Sequence, residues 1–158
     1  MVAFDIFILL FAIIINFVLL GFVYLRNPKS ATHRLFALLT LSMSLWSVTN
    51  YISYEIQSPQ ISSWLVRLVM FFAVPLSVLF FLLMHTFPRS SMSLSRNAVL
   101  VWSVLTIVTM AVTLSPLVFS TVELIPGQPP SPIPGPGMIL FVPIAIGTIP
   151  LGLYYLIN

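Results

Sequence analysis

Apolar positions in this chain gather into five runs: Phe4–Leu25, Leu35–Tyr54, Ser63–Phe87, Ala98–Phe119 and Met138–Ile157. Each run is about 20 residues or longer, enough for a helix to cross ~30 Å of hydrocarbon. The pattern predicts an all-α fold, a polytopic bundle of five transmembrane helices forming one membrane domain over residues 1–158. Pro143, Gly147, Pro150 and Gly152 fall within the fifth run and predict a kinked helix, and Pro75 predicts a bend in the third.

The connecting segments differ in character. Asn27-Pro28 stops the first helix, and Ser30 or Thr32 is available to cap the second. Glu55–Ser62 reads as a tight turn broken by Pro59, and Ser93 or Ser95 can cap the fourth helix. Ser120–Gly137 carries six of the chain's 13 prolines and predicts a polyproline-like extended segment. It reads either as a stiff strap between two helix ends or as part of a lid facing a ligand.

Charge then orients the bundle. Arg26, Lys29 and Arg34 follow the first run, and Arg89 and Arg96 follow the third. The N-terminal stub and the other two connections hold no Lys or Arg, only Asp5, Glu55 and Glu123 at their margins. By the positive-inside rule the N-terminus lies outside and the C-terminus in the cytoplasm. A hydrophobic fraction of 59% and a charged fraction of 6% exclude an ordinary water-soluble domain. The net charge of +3 does not point to nucleic acid, because the basic residues form no stripe; they anchor the chain to the lipid bilayer. The first run is too long for a signal-peptide core and leads to no small-residue cleavage site, so it is expected to remain as a helix.

Candidate chemistry is sparse. Arg67, one turn inside the third helix, is the clearest ionisable residue within a span. It reads as a snorkelling side chain, as a structural partner of Glu55 across the short turn, or as a ligand-sensing contact. An input pocket is expected among the outer halves of helices one, three and five and the proline-rich segment. Thr40, Ser44 and Ser47 share one face of helix two, and Asn16 of helix one can reach that face. Small hydroxyl residues there predict close helix packing with bonds across the interface; a polar path for ions or substrate is the other reading. Trp64 fits an interfacial aromatic belt and Trp46 the bundle core. Cysteine is absent, His33 and His85 have no ligand spacing, and no catalytic constellation is present, so neither a metal, a cofactor nor an enzyme activity is expected.

One stretch carries more than composition. Asn27-Pro28-Lys29-Ser30-Ala31-Thr32-His33-Arg34-Leu35-Phe36-Ala37-Leu38-Leu39, continuing to Leu45-Trp46-Ser47, resembles the first inner loop and second helix of the seven-helix N-terminal sensor region of bacterial histidine kinases. Trp64-x-x-Arg67, Pro75 and His85-Thr86-Phe87-Pro88 are similar to that family, as is the long segment before helix five. The resemblance implies a sensory input module in the bacterial inner membrane, with five of the seven helices in this chain. Such modules precede a cytoplasmic histidine kinase, diguanylate cyclase or PAS domain, and a homodimer or an effector on the cytoplasmic side is the expected partner. His33 and His85 do not take the role of a phospho-accepting histidine. A small transporter or channel component, or a membrane scaffold subunit, is the alternative.

Overall fold

The computed structural model describes residues 2–56, 58–86, 94–123, 125, 128 and 130–157. Arg89 and residues 87–93 around it lie outside the described residues, as does the expected end of the third helix at Phe87. The elements run α1 (Val2–Arg26), α2 (Ala31–Glu55), α3 (Pro59–Thr86), α4 (Arg96–Thr113), β1 (Phe119–Glu123), β2 (Ser131–Pro134), α5 (Met138–Ala145) and α6 (Thr148–Ile157). Five helical segments are long and apolar enough to cross a membrane, α5 and α6 together making the fifth. The chain is therefore a mostly helical membrane bundle, and the order of its elements places Asp5, Glu55 and Glu123 toward one end and Arg26, Lys29, Arg34 and Arg96 toward the other.

Helix ends follow local chemistry. Past Asn27-Pro28 the chain turns, with Ser30 N donating to Asn27 O at 3.1 Å. Helix α2 begins at Ala31, before its apolar run, because Thr32, His33 and Arg34 form its first turn despite their polarity. Ser30 occupies the N-cap position without a side-chain bond, and Thr32 lies inside the helix, so neither hydroxyl caps α2. Arg34 Nε instead closes the turn by donating to Pro28 O at 2.6 Å. Ser95 does cap α4, its Oγ accepting from Ala98 N at 3.2 Å. Pro59 does not break a turn; it is the first residue of α3, where its missing N–H has no intrahelical partner to lose.

Helix α3 is the centre of the bundle. It packs against α2, α4, α5, α6 and β1. Its Val74, Val78, Phe81, Leu82 and Leu83 make the core with Leu35 of α2 and Phe141, Ile144 and Ala145 of α5. Helix α1 packs on α2 and leaves large apolar side chains such as Phe7, Phe11 and Phe22 exposed. An outward apolar surface of that kind is what a lipid-facing helix requires. Within α3, Pro75 is carried without interruption of the helix.

Two regions depart from the sequence-based expectation. Helix α4 stops at Thr113, not Phe119: Ser115 turns back on the helix, its Oγ donating to Val112 O at 2.7 Å, and Pro116 cannot extend the ladder. The segment beyond it does not run as isolated polyproline. β1 and β2 pair antiparallel, with Phe119 opposite Pro134 and Glu123 opposite Ser131, and the register shifts between Phe119 and Val122. Prolines hide such a strand from sequence reading, yet Pro132 and Pro134 are tolerated in β2 because a two-stranded ribbon always has a free edge for a missing N–H. The hairpin is continued by Gly135 N donating to Val118 O (2.7 Å) and Gly137 N to Leu117 O (2.8 Å). A Cβ at Gly135 would collide with the Leu117 carbonyl, so the closing turn requires glycine. Val118 and Phe119 are fully buried where the hairpin sits against α3.

The fifth span is broken rather than merely kinked. Ile146 and Gly147 separate α5 from α6, and both of their N–H groups turn back to Val142 O, at 2.9 and 3.3 Å. The Ala145 carbonyl, released from the helix ladder, accepts the Ser77 hydroxyl of α3 at 2.5 Å. Thr148 Oγ1 donates to Ile144 O at 2.8 Å. Below the break Gly152 is buried against α3, where an added Cβ would lie 3.2 Å from Phe81 Cα. Rings from three helices gather beside it: Phe81 lies 4.8 Å from Trp102 and 4.4 Å from His85, and His85 lies 4.4 Å from Tyr155.

Candidate functional site

Arg67 does not pair with Glu55. Among the described residues its guanidinium NH1 donates to Leu114 O at 3.5 Å, at the C-cap of α4, while Nε is buried without a hydrogen-bond partner. Its carbon centre lies 5.2 Å from the ring centre of Trp64 and 5.2 Å from that of Phe119. A guanidinium between two aromatic faces and a helix-terminal carbonyl is held by cation–π attraction and by the negative end of α4. Arg67 thus ties together α3, the end of α4 and the hairpin. Trp64 is exposed, as the aromatic-belt reading requires.

Glu55 ends α2 and faces α1 instead. It lines a cavity of about 620 Å³ between these two helices, with Trp46, Ser47, Asn50, Tyr51 and Tyr54 on the α2 side. Asp5, Ile8, Leu9 and Ala12 make the α1 wall. Each wall is one helical stripe, spaced 5, 8, 9, 12 on α1 and 47, 50, 51, 54 on α2. Trp46 therefore walls an interhelical cavity and is not a bundle-core residue. Tyr51 shares this cavity with both carboxylates, Asp5 and Glu55.

The hydroxyl face of α2 is divided by the fold. Thr40 and Ser44 are buried, but their hydroxyls donate within their own helix, Thr40 Oγ1 to Phe36 O at 2.6 Å and Ser44 Oγ to Thr40 O at 3.0 Å. A hydroxyl has one proton to donate, so what these residues bring to packing is small size rather than bonds across the interface. Ser47 lies in the α1–α2 cavity, and Asn16 is half-buried on α1 without a side-chain hydrogen bond among the described residues. The interhelical hydroxyl bond is supplied elsewhere, by Ser77 to Ala145.

At the opposite end a second cavity of about 380 Å³ is lined by Val23 of α1, Thr32, His33 and Phe36 of α2, Leu83 and Met84 of α3 and Leu156 of α6. Thr32 Oγ1 and His33 Nδ1 are buried there without hydrogen-bond partners among the described residues. His85 is buried too, its Nδ1 3.0 Å from Phe81 O, in the ring cluster. Among the described residues no group of three or more His, Cys, Asp or Glu side chains comes together to hold a metal ion.

Sequence reading singled out Glu55 and Arg67 but missed what surrounds them. The α1–α2 cavity was foreshadowed by one pattern: a polar and aromatic stripe on α2 ending in an acid, opposite a stripe on α1 beginning with one.

Comparison with curated proteins and with solved structures returns no match. Comparison with protein families matches residues 8–158 to one described as the N-terminal 7TM region of histidine kinase. With the match running from early in α1 to the end of α6, over a bundle of membrane-crossing helices, the chain belongs to the N-terminal 7TM region family of histidine kinases.

Proposed function

We propose that this chain is the membrane-embedded sensory input module of a signal-transduction protein, relaying an external or intramembrane event to a cytoplasmic effector. The observation that carries the reading is family membership across residues 8–158. The acidic end, with Asp5, Glu55 and the hairpin, faces outward and the basic loops face the cytoplasm, in the inner membrane of a bacterium. The module has no catalytic role of its own; output belongs to the effector.

The broken fifth span supports a mechanical route. Its outer half is tied to α3 by the Ser77–Ala145 bond, and its inner half is seated on α3 through Gly152 and the rings of Phe81, His85 and Tyr155. A change at the outer end that shifts α3 or the hairpin reaches the inner end through α6, biasing a two-state bundle. The hydroxyls of Thr40, Ser44 and Thr49 all donate within α2, which leaves little for a polar path and weighs against a transporter.

Reading the coding frame past the Asn158 codon tests the relay. The expected result is further apolar spans followed by a kinase or cyclase domain. A stop codon there, with no kinase or cyclase gene alongside, would overturn it.

A further inference from the structure

The α1–α2 cavity has the chemistry of a receptor for one class of molecule. Its volume of about 620 Å³ falls within the range of small-molecule sites, roughly 300–1,000 Å³. Asp5 and Glu55 stand at its rim, and neither has a cationic partner among the described residues. Arg67, the Lys or Arg at this end of the bundle among the described residues, is committed to Leu114, Trp64 and Phe119. The walls below are aromatic and aliphatic: Trp46, Tyr51 and Tyr54 against Ile8, Leu9 and Ala12. From Asp5 to Ala12 the wall extends two helical turns, about 10 Å.

The position of Glu55 adds a second observation. It sits in the last turn of α2, which holds no basic residue. A negative charge at a helix C-terminus opposes the macrodipole. Helix stability alone therefore disfavours an acid here, and a ligand of opposite charge would reverse the balance. Aromatic faces beside the carboxylates favour an organic cation over a metal ion, because cation–π attraction adds to the charge term for a weakly hydrated cation.

We infer that the α1–α2 cavity binds an amphiphilic organic cation, its charged group at Asp5 and Glu55 and its apolar body between Trp46, Tyr51 and the α1 stripe. The cation is either free or the headgroup of an amine-bearing lipid. The inference names a stimulus class for the sensory reading and rests on that reading only for its purpose, since binding is measured directly.

The test uses the purified chain in dodecyl maltoside, an uncharged detergent without nitrogen, and radiolabelled tetraphenylphosphonium in equilibrium dialysis. Saturable one-to-one binding is expected, with quenching of tryptophan emission that Trp46→Phe removes. Tetraphenylborate, of the same shape and opposite charge, should not bind saturably. Asp5→Asn with Glu55→Gln should weaken phosphonium binding at least tenfold while circular dichroism and gel filtration stay unchanged. Equal binding of the phosphonium and the borate would overturn the site, and this comparison needs no variant to fold. Undiminished binding by a folded double variant would overturn it too, as would displacement of the probe by millimolar calcium or magnesium, which would mark an inorganic-cation site. Phosphatidylethanolamine added to the micelles separates the two sources: displacement identifies a lipid headgroup, retention a free cation, and each is consistent with the site. Failure here leaves the relay to its own test, the frame beyond Asn158.

Discussion

Gly152 lets the strength of the α3–α6 contact be worked out and measured. An alanine there would put its Cβ 3.2 Å from Phe81 Cα, 3.5 Å from Met84 Cγ and 3.6 Å from Phe80 Cδ1. Only the first is tighter than ordinary contact, and α6 must retreat a few tenths of an ångström. That strain is set against the gain of about 1 kcal/mol in helix propensity from glycine to alanine. Gly152→Ala should therefore leave stability within about 1 kcal/mol of the wild type. Leucine adds three more carbons with no room to enter. Overpacking of this kind costs roughly 1–3 kcal/mol. The separation also loosens the Tyr155 contacts with His85 (4.4 Å) and Phe81 (6.3 Å), each worth about 0.5–1.5 kcal/mol. Gly152→Leu should lose about 3 kcal/mol, roughly a hundredfold in the folding equilibrium. Reversible unfolding in mixed micelles of rising dodecyl sulfate content measures this. Tryptophan emission is the probe, because Trp102 packs 4.8 Å from Phe81. A leucine variant that unfolds at the wild-type sulfate fraction would refute the seating of α6 on α3. An alanine variant as unstable as the leucine one would refute the few-tenths retreat.

Three further outcomes follow from the same geometry. Ser77→Ala strands the buried Ala145 carbonyl and should cost about 1 kcal/mol in the same micelle titration, whereas Ser103→Ala, an exposed hydroxyl bonded within α4, should cost nothing measurable. Arg67→Lys keeps the charge but loses the planar group that spans Trp64 and Phe119, and should lower stability by about 1–2 kcal/mol and shift Trp64 emission; an unchanged emission maximum would count against the stack. Because the chain has no cysteine, Ser58→Cys and Ser30→Cys can each be labelled alone. A membrane-impermeant maleimide should label the first in intact cells and the second only after lysis, and the reverse order would invert the proposed orientation.

The five spans were legible because about 20 consecutive apolar residues have few other fates; the fifth reads as kinked and is broken, because Ile146 and Gly147 both turn back to Val142 O while Pro143, Pro150 and Gly152 remain inside the two helical halves. The end of α4 was harder: Leu114, Leu117, Val118 and Phe119 continue the apolar run, and what stops the helix is the Ser115-Pro116 turn and the docking of Phe119. Proline density concealed the hairpin, since strand pairing depends on which edge of the ribbon each missing N–H faces. For Arg67 and Glu55 the short α2–α3 connection suggested a pair, but helical phase decides direction. Glu55 points to α1 and Arg67 toward α4 and the hairpin. No property of either residue alone encodes that divergence. The aromatic cluster of Phe81, His85, Trp102 and Tyr155 was equally invisible, its members lying on three helices far apart in sequence.

The interruption at Ile146–Gly147 also bears on how the protein is made. Helix α5 has 8 residues and α6 has 10, so they are about 12 and 15 Å long, and neither crosses the hydrocarbon by itself. An inserting segment of this kind exposes peptide groups at its waist that lipid cannot satisfy. The Ala145 carbonyl finds its donor on Ser77, a residue synthesised far earlier and already held in α3. Span five is then committed to the membrane by α3 serving as its template, and a damaged α3 would appear first as failed integration of residues 138–157.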